Sequence, residues 1–150
     1  MRPSLWLATW GGVGRSPLAP GTMGTLGAIP LWLLFRQLSP FCYIAATLGL
    51  FALGWAAAER AEKLLGERDH PAIVVDEVVG FLVTMVGVEA GWEGLVLGFS
   101  LFRLADILKP PPVRWFDTGL SGGLGVMADD VVAGLYARAA MALLQFLGVP

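Results

Sequence analysis

The chain has 150 residues, 56% hydrophobic and only 15% charged, with ten Lys/Arg against twelve Asp/Glu and a formal net charge of −2. An ordinary soluble domain carries roughly 25% charged residues, so disorder, a coiled coil and nucleic-acid binding through a basic surface are excluded. One cysteine, Cys42, and one histidine, His70, exclude an internal disulfide, a cysteine-based zinc cluster and any multi-histidine metal site.

The length favours one domain over 1–150, and long Ala- and Leu-rich runs with few alternating stretches predict an all-α fold. Pro17, Pro20 and the surrounding glycines interrupt the N-terminal apolar run and argue against a secretory signal peptide. Thr22 is placed to cap a helix beginning at Met23, which Pro30 would kink before Phe35. The uncharged run from Phe41 to Ala58 approaches the roughly 20 residues of a bilayer span. It closes on Glu59, Arg60, Glu62 and Lys63, which suits either a span or a buried core helix with a solvated last turn. Asp69 is placed to cap a further helix with Pro71 in its first turn. The triple proline 110–112 ends the helix that carries Arg103 to Lys109, and Thr118 to Gly125 reads as a flexible loop before a last helix bearing Arg138. The expected architecture is a single multi-helical domain of kinked apolar helices around one polar, acidic pocket.

In so apolar a chain the polar residues carry the functional information, and they fall into four islands. The first, GGVGRSPLAPGTMGT from Gly11 to Thr25, offers backbone N–H groups, the donor fork of Arg15 and the hydroxyls of Ser16, Thr22 and Thr25. At a helix N-terminus such a loop suits a phosphate, though by composition alone a structural turn between two apolar segments is the stronger reading, and no G-K-[ST] follows to make it a Walker A loop. The second is Asp76-Glu77, set in a run of valines. Burying carboxylates costs several kcal/mol unless a cation or donor compensates; the alternative is one capping a helix and one facing water. The third, Arg103, Asp106 and Lys109, shares a helix face by its i, i+3, i+6 spacing, as a site or as a solvent-side ion-pair ladder. The fourth is a glycine-rich turn, Gly122 to Gly125, delivering Asp129 and Asp130 into a helix's first turn, where the dipole accounts for one carboxylate better than for two.

Taken together, Asp76, Glu77, Asp129 and Asp130, with Asp106, make an oxygen-rich set suited to Mg²⁺. Arg15, Arg103 and Lys109 are candidates for phosphate oxygens. Elimination points the same way: Cys42 lacks a phosphate loop, His70 stands alone, and no D-x-D or Ser-His-Asp set exists. Metal-assisted attack by water, or by a carboxylate, remains.

Four stretches then carry a resemblance: GVGRSPLAPGTMGT (12–25), IVVDEVVGF (73–81), FRLADILKPPPVRWFD (102–117) and GGLGVMADDVVAG (122–134). In this order they resemble the phosphatidylglycerophosphatase A family, with one departure, Leu104-Ala105 where the family usually has an aromatic before the aspartate. The resemblance implies a mainly helical, Mg²⁺-dependent lipid phosphatase at the cytoplasmic face of the bacterial inner membrane. Its substrate would be phosphatidylglycerophosphate and its product phosphatidylglycerol, for phospholipid biosynthesis. Carried over by motif, Asp76, Glu77, Asp129 and Asp130 would serve the metal and its activated water, and Asp106 would be an extra ligand or base. Arg15, Arg103 and Lys109 would bind phosphate, Ser16 and Thr22 would assist, and Asp69 and Asp117 would support the site. Two other readings fit the residues: a phosphatase for another lipid phosphomonoester, and a non-enzymatic cation-binding membrane protein. Membrane lipid is the expected partner, with some of the six tryptophans as interfacial anchors and a homodimer as a further way to cover apolar surface.

Overall fold

The computed structural model describes residues 2–88 and 91–148, and residues 117 and 118 in their backbone only. The described residues form seven α-helices and no strand: α1 Pro3–Ala8, α2 Pro20–Phe35, α3 Pro40–Leu65, α4 Val75–Thr84, α5 Trp92–Leu108, α6 Val113–Gly119 and α7 Gly122–Phe146. A 3₁₀ stretch, Trp10–Arg15, links α1 towards α2. Three helices start on proline, whose missing N–H costs nothing in a first turn. Ser39 caps α3 by accepting from the Cys42 amide at 3.3 Å, and Gly66 ends it at φ +74°.

Four boundaries differ from the sequence-based expectation. α2 begins at Pro20, so Thr22 lies inside its first turn and caps nothing; the residue before the helix is Ala19, at φ +43°. No helix starts at Asp69, which sits in a turn at φ +49°, and α4 begins at Val75. Most of the loop expected over 118–125 is helical, because α6 runs to Gly119 and α7 starts at Gly122. Asp129 and Asp130 therefore lie about two turns into α7, beyond the reach of an N-terminal dipole. α5 ends where the proline run requires, at Leu108, and Pro30 is accommodated on the exposed side of α2.

The short helix α4 is the axis of the molecule. Val75, Val78, Val79, Phe81 and Leu82 are fully buried. One side of α4 packs with Ala28 and Trp32 of α2, Phe102 of α5 and Met141 of α7. The other side packs with Ala57, Ala58 and Ala61 of α3 and Met127 of α7. The tightest approach is α4 to α7: a Cβ on Gly134 would collide with the carbonyl oxygen of Gly80, and one on Gly80 would lie 2.6 Å from the Asp130 carbonyl. Two further polar contacts lock the frame. Tyr43 donates to the Leu82 carbonyl at 2.7 Å, and Glu59 accepts from the Gly123 amide at 2.8 Å, so α3 closes the open start of α7.

α3 is long and apolar enough to cross a membrane, and 28% of its most apolar stretch is buried. Leu34, Leu48, Leu53, Val96, Leu135 and Leu143 extend this exposed apolar surface over α2, α5 and α7 as well.

The glycine crossing gives a direct test. Gly134→Ala should destabilise the fold by about 1–3 kcal/mol through backbone overpacking. Gly49→Ala, where a Cβ meets nothing within 4 Å, should be neutral or stabilising by about 0.5–1 kcal/mol. Denaturant or thermal unfolding of both variants in detergent measures the contrast.

Candidate active site

The crossing of α4 and α7 sets two acidic segments against each other. Asp76 and Glu77 occupy the first turn of α4, with no side-chain cap before them, while Asp130 projects from one turn before Gly134. Asp76 and Asp130 are 7% and 3% exposed, too little for bulk water to compensate their charge. One carboxylate oxygen from each of Asp76, Glu77 and Asp130 lies within 4.8 Å of the others. Asp76 Oδ1, Glu77 Oε2 and Asp130 Oδ2 are buried without a hydrogen-bond partner.

Electrostatics follow from this crowding. Burial holds the Asp76 carboxyl well above the ordinary range, and the charges of Glu77 and Asp130 push it further. Asp130 is raised in the same way, by burial first and then by Asp106 and Glu77. Burial also raises Glu77, against the opposing hydrogen bond with Asp76 and the charge of Arg103.

Arg103 of α5 faces this group. Its Nη1 donates to Asp106 Oδ2 and lies 4.0 Å from Glu77 Oε1, while its Nε is buried without a partner. The ladder expected on a solvent-exposed face is absent, since both Arg103 and Asp106 side chains are largely buried. Opposite Arg103 stands the start of α2. A Cβ on Gly21 would collide with Glu77 Oε1 and lie 3.1–3.2 Å from the guanidinium nitrogens of Arg103, so glycine makes room for both side chains. A pocket of about 340 Å³ opens here between Pro20, Gly21, Asp69, Asp76, Glu77 and Arg103. The α2 N-terminus borders it with no side-chain cap, leaving backbone donors for an anion.

The other expected site residues are placed differently. Asp129 stands beside the cluster, and its Oδ2 accepts from Lys109 Nζ at 2.7 Å. Lys109 leaves the face of Arg103 and Asp106 because it ends α5 in the left-handed conformation, φ +43°. Ser16 Oγ is engaged locally, donating to the Leu18 carbonyl at 3.0 Å. Arg15 is exposed at the end of the 3₁₀ stretch, and Thr22 is half-buried in α2. The Asp117 side chain lies outside the described residues. Sequence reasoning missed Gly21, and it also missed Glu62, whose Oε1 accepts from the Asp69 amide at 2.7 Å and fixes that pocket residue. The signal for Gly21 was its position just inside a proline-started helix; Glu62 read as one more solvated charge.

Buried carboxylates facing an arginine and an open helix N-terminus define an all-α protein able to hold a hard cation beside an oxyanion. The Phosphatidylglycerophosphatase A family model matches residues 6–145. Phosphatidylglycerophosphatase A of Escherichia coli (strain K12) is 38% identical over 95% of this chain and 81% of its own length. The Haemophilus influenzae protein of the same name is 36% identical over 97% of this chain and 91% of its own. A Bacteroides thetaiotaomicron protein named "Putative phosphatidylinositol-3-phosphatase" is 39% identical, covering 97% of this chain and 98% of its own. No solved structure matches. The chain belongs to the phosphatidylglycerophosphatase A family, named for a phosphoric monoester hydrolase.

The raised carboxyls fix the sign of a pH effect. A group that binds its proton more tightly when folded lowers stability as pH rises from the ordinary carboxylate value, about 4, through its folded value. In chelator the protein should therefore lose stability as the pH rises above the ordinary carboxylate range, and Asp130→Asn should flatten that slope. Thermal melting of both proteins across this range checks it; an unchanged slope in the variant would show that Asp130 is not held protonated.

Proposed function

We propose that this chain is a Mg²⁺-dependent lipid phosphatase that hydrolyses the phosphomonoester of phosphatidylglycerophosphate to phosphatidylglycerol and phosphate in phospholipid biosynthesis. The observation that carries the reading is the gathering of three carboxylates with buried, unsatisfied oxygens, Asp76, Glu77 and Asp130, the first two of which open on one pocket with Arg103 and the start of α2. Such a donor set fits a small hard cation, because orphaned, desolvated carboxylate oxygens are the ligands it prefers. Asp76, Glu77 and Asp130 would hold the ion. When bound, Mg²⁺ supplies Lewis-acid stabilisation of phosphoryl oxygens and favours ionisation of water.

The chain's own groups do the rest. Arg103, oriented by Asp106, and the free amides at the start of α2 hold the phosphate oxygens and stabilise charge as it spreads over them. Water adds to phosphorus while the bond from phosphorus to the glycerol oxygen breaks. A site carboxylate takes the proton the water loses and returns it to the departing oxygen, giving the alcohol and inorganic phosphate.

A membrane seat is supported by α3 and by the distribution of charge. The uncharged part of α3 from Pro40 to Ala58 is about 28 Å long, close to the hydrocarbon thickness of about 30 Å. Trp6, Trp92 and Trp115 are more than half exposed, as interfacial anchors would be, whereas Trp32 is core and Trp10 bonds the Gly27 carbonyl. Arg2, Arg15, Arg60, Lys63, Arg68 and Arg114 lie towards the end that holds the site, with Arg36 and Arg138 towards the other. The positive-inside bias favours the site facing the cytoplasm.

A second reading, the same chemistry on another lipid phosphomonoester, is favoured by the relative named for phosphatidylinositol-3-phosphate. Phosphate release from both lipids and from phosphatidate, in detergent with Mg²⁺ or excess chelator, separates the readings. We expect Mg²⁺-dependent release that is fastest from phosphatidylglycerophosphate. Asp130→Asn and Glu77→Gln should each lower it by at least about 100-fold while leaving the protein folded. Near-normal turnover in either variant removes that residue from the site, and cation binding without any phosphate release overturns the enzymatic reading.

A further inference from the structure

Between α5 and α7, on the side of α5 away from Arg103, lies a groove of about 230 Å³ lined by Leu101, Leu104, Leu108, Tyr136, Ala137 and Ala140. We propose that this groove holds an acyl chain of the lipid phosphomonoester, with the Lys109–Asp129 pair at its polar end. The inference rests on the lipid-phosphatase reading and adds where the apolar part of the substrate lies.

Helical register carries the two walls of the groove towards Lys109 and Asp129. Leu101, Leu104 and Leu108 follow i, i+3, i+7 and form one wall along α5. On α7, Asp129, Tyr136 and Ala140 follow i, i+7, i+11, so the second wall runs up the same face to the Asp129 carboxylate. α5 stops at Leu108, and Lys109 turns to donate to Asp129 at 2.7 Å, setting an ammonium group where the two walls meet. Asp129 is the immediate neighbour of Asp130, so this polar end adjoins the carboxylate cluster. A lipid whose phosphate is held by Arg103 and the start of α2 would pass its chain by this polar end to the head of the groove.

Dimensions and exposure agree with this occupant. From Leu101 to Leu108 the wall is about 10 Å long, against roughly 15 Å for one leaflet's share of the hydrocarbon. Leu104, Leu108 and Tyr136 are 55%, 66% and 47% exposed, so the groove is open along its flank and a chain can enter sideways from the bilayer. Among the described residues no acidic or basic side chain lines it.

The test fills the groove without touching the carboxylates or Arg103. Ala140→Phe blocks one wall and Leu104→Trp, at an exposed rim, blocks the other. Phosphate release is measured from the dipalmitoyl form of phosphatidylglycerophosphate and from its deacylated headgroup. Displacing even two methylenes is worth about tenfold in binding, so kcat/KM for the long-chain form should fall by about tenfold or more. For the headgroup alone it should stay within about twofold. Equal effects on the two substrates overturn the groove and leave it to bulk lipid or to a second copy of the chain. If Ala140→Phe fails to fold, Leu104→Trp decides the question. Photolabelling of the unmodified protein, by the same lipid with a diazirine in one chain, reads occupancy without turnover. Adducts on α5 and α7 lining residues support the groove, and adducts confined elsewhere overturn it. Absence of release from either substrate counts instead against the lipid-phosphatase reading.

Discussion

The close approach of α4 to α7 is the constraint on which the rest depends. Gly80 and Gly134 let two backbones meet where any Cβ would intrude, and one turn earlier on each helix stand Asp76 and Asp130. Bringing like charges together away from water is costly by several kcal/mol. The scaffold resists separation because α4 is buried on both sides, by α2 and α5 in one cluster and by α1, α3 and α7 in the other. An isolated ten-residue helix is marginal in water, so α4 exists only because its valines, Phe81 and Leu82 are covered. The cost of the acidic cluster is thus met by packing.

The same arrangement resolves a problem of solvation. A phosphomonoester is doubly charged and strongly hydrated, while lipid chains avoid water. Here the charged residues concentrate near the helix ends that surround Asp76, Glu77 and Arg103, and the exposed flanks of α2, α3, α5 and α7 are apolar. Arg138, deep in an apolar stretch, is tied down by donating to the Val86 carbonyl at 2.7 Å just beyond α4. Its charge there favours the carbonyl end of that helix, as Asp76 and Glu77 suit its amide end. Both ends of the axial helix are thereby matched to the groups they meet.

How much of this the sequence reveals follows from how local each signal is. Asp76 and Glu77 are legible because adjacent acids amid valines have no inexpensive solvated arrangement. The proline stop after Lys109 and the all-helical class are legible from backbone chemistry alone. The four glycine-rich positions before Asp129 mislead, since glycine reads as turn. In the fold Gly123 sits inside α7, where a Cβ would press on the α3 backbone at Glu59 and Trp55. Gly14, Gly21 and Gly24 likewise serve close packing against residues about fifty positions away, Ala72, Glu77 and Val74. No local pattern separates a glycine needed for φ from one needed for space. Nor can sequence foresee Glu62 reaching the Asp69 amide, because that bond exists only after α3 and the following turn have packed.

The two acidic doublets show the same limit and what it means for chemistry. Neighbouring helical positions diverge by about 100°, so a doublet can border one site from two sides or serve two places. Asp76 and Glu77 converge, because the longer glutamate reaches back towards Asp76 and Arg103 at the open start of α4. Asp129 and Asp130 diverge: Asp130 turns inward to the cluster, and Asp129 turns along the α5 side to hold Lys109. The sequence presents these four acids as equivalent, whereas the fold gathers the carboxylates of three of them into one cluster. It uses the fourth to fix a positive charge beside it. That pairing sets balanced charge next to the carboxylate cluster.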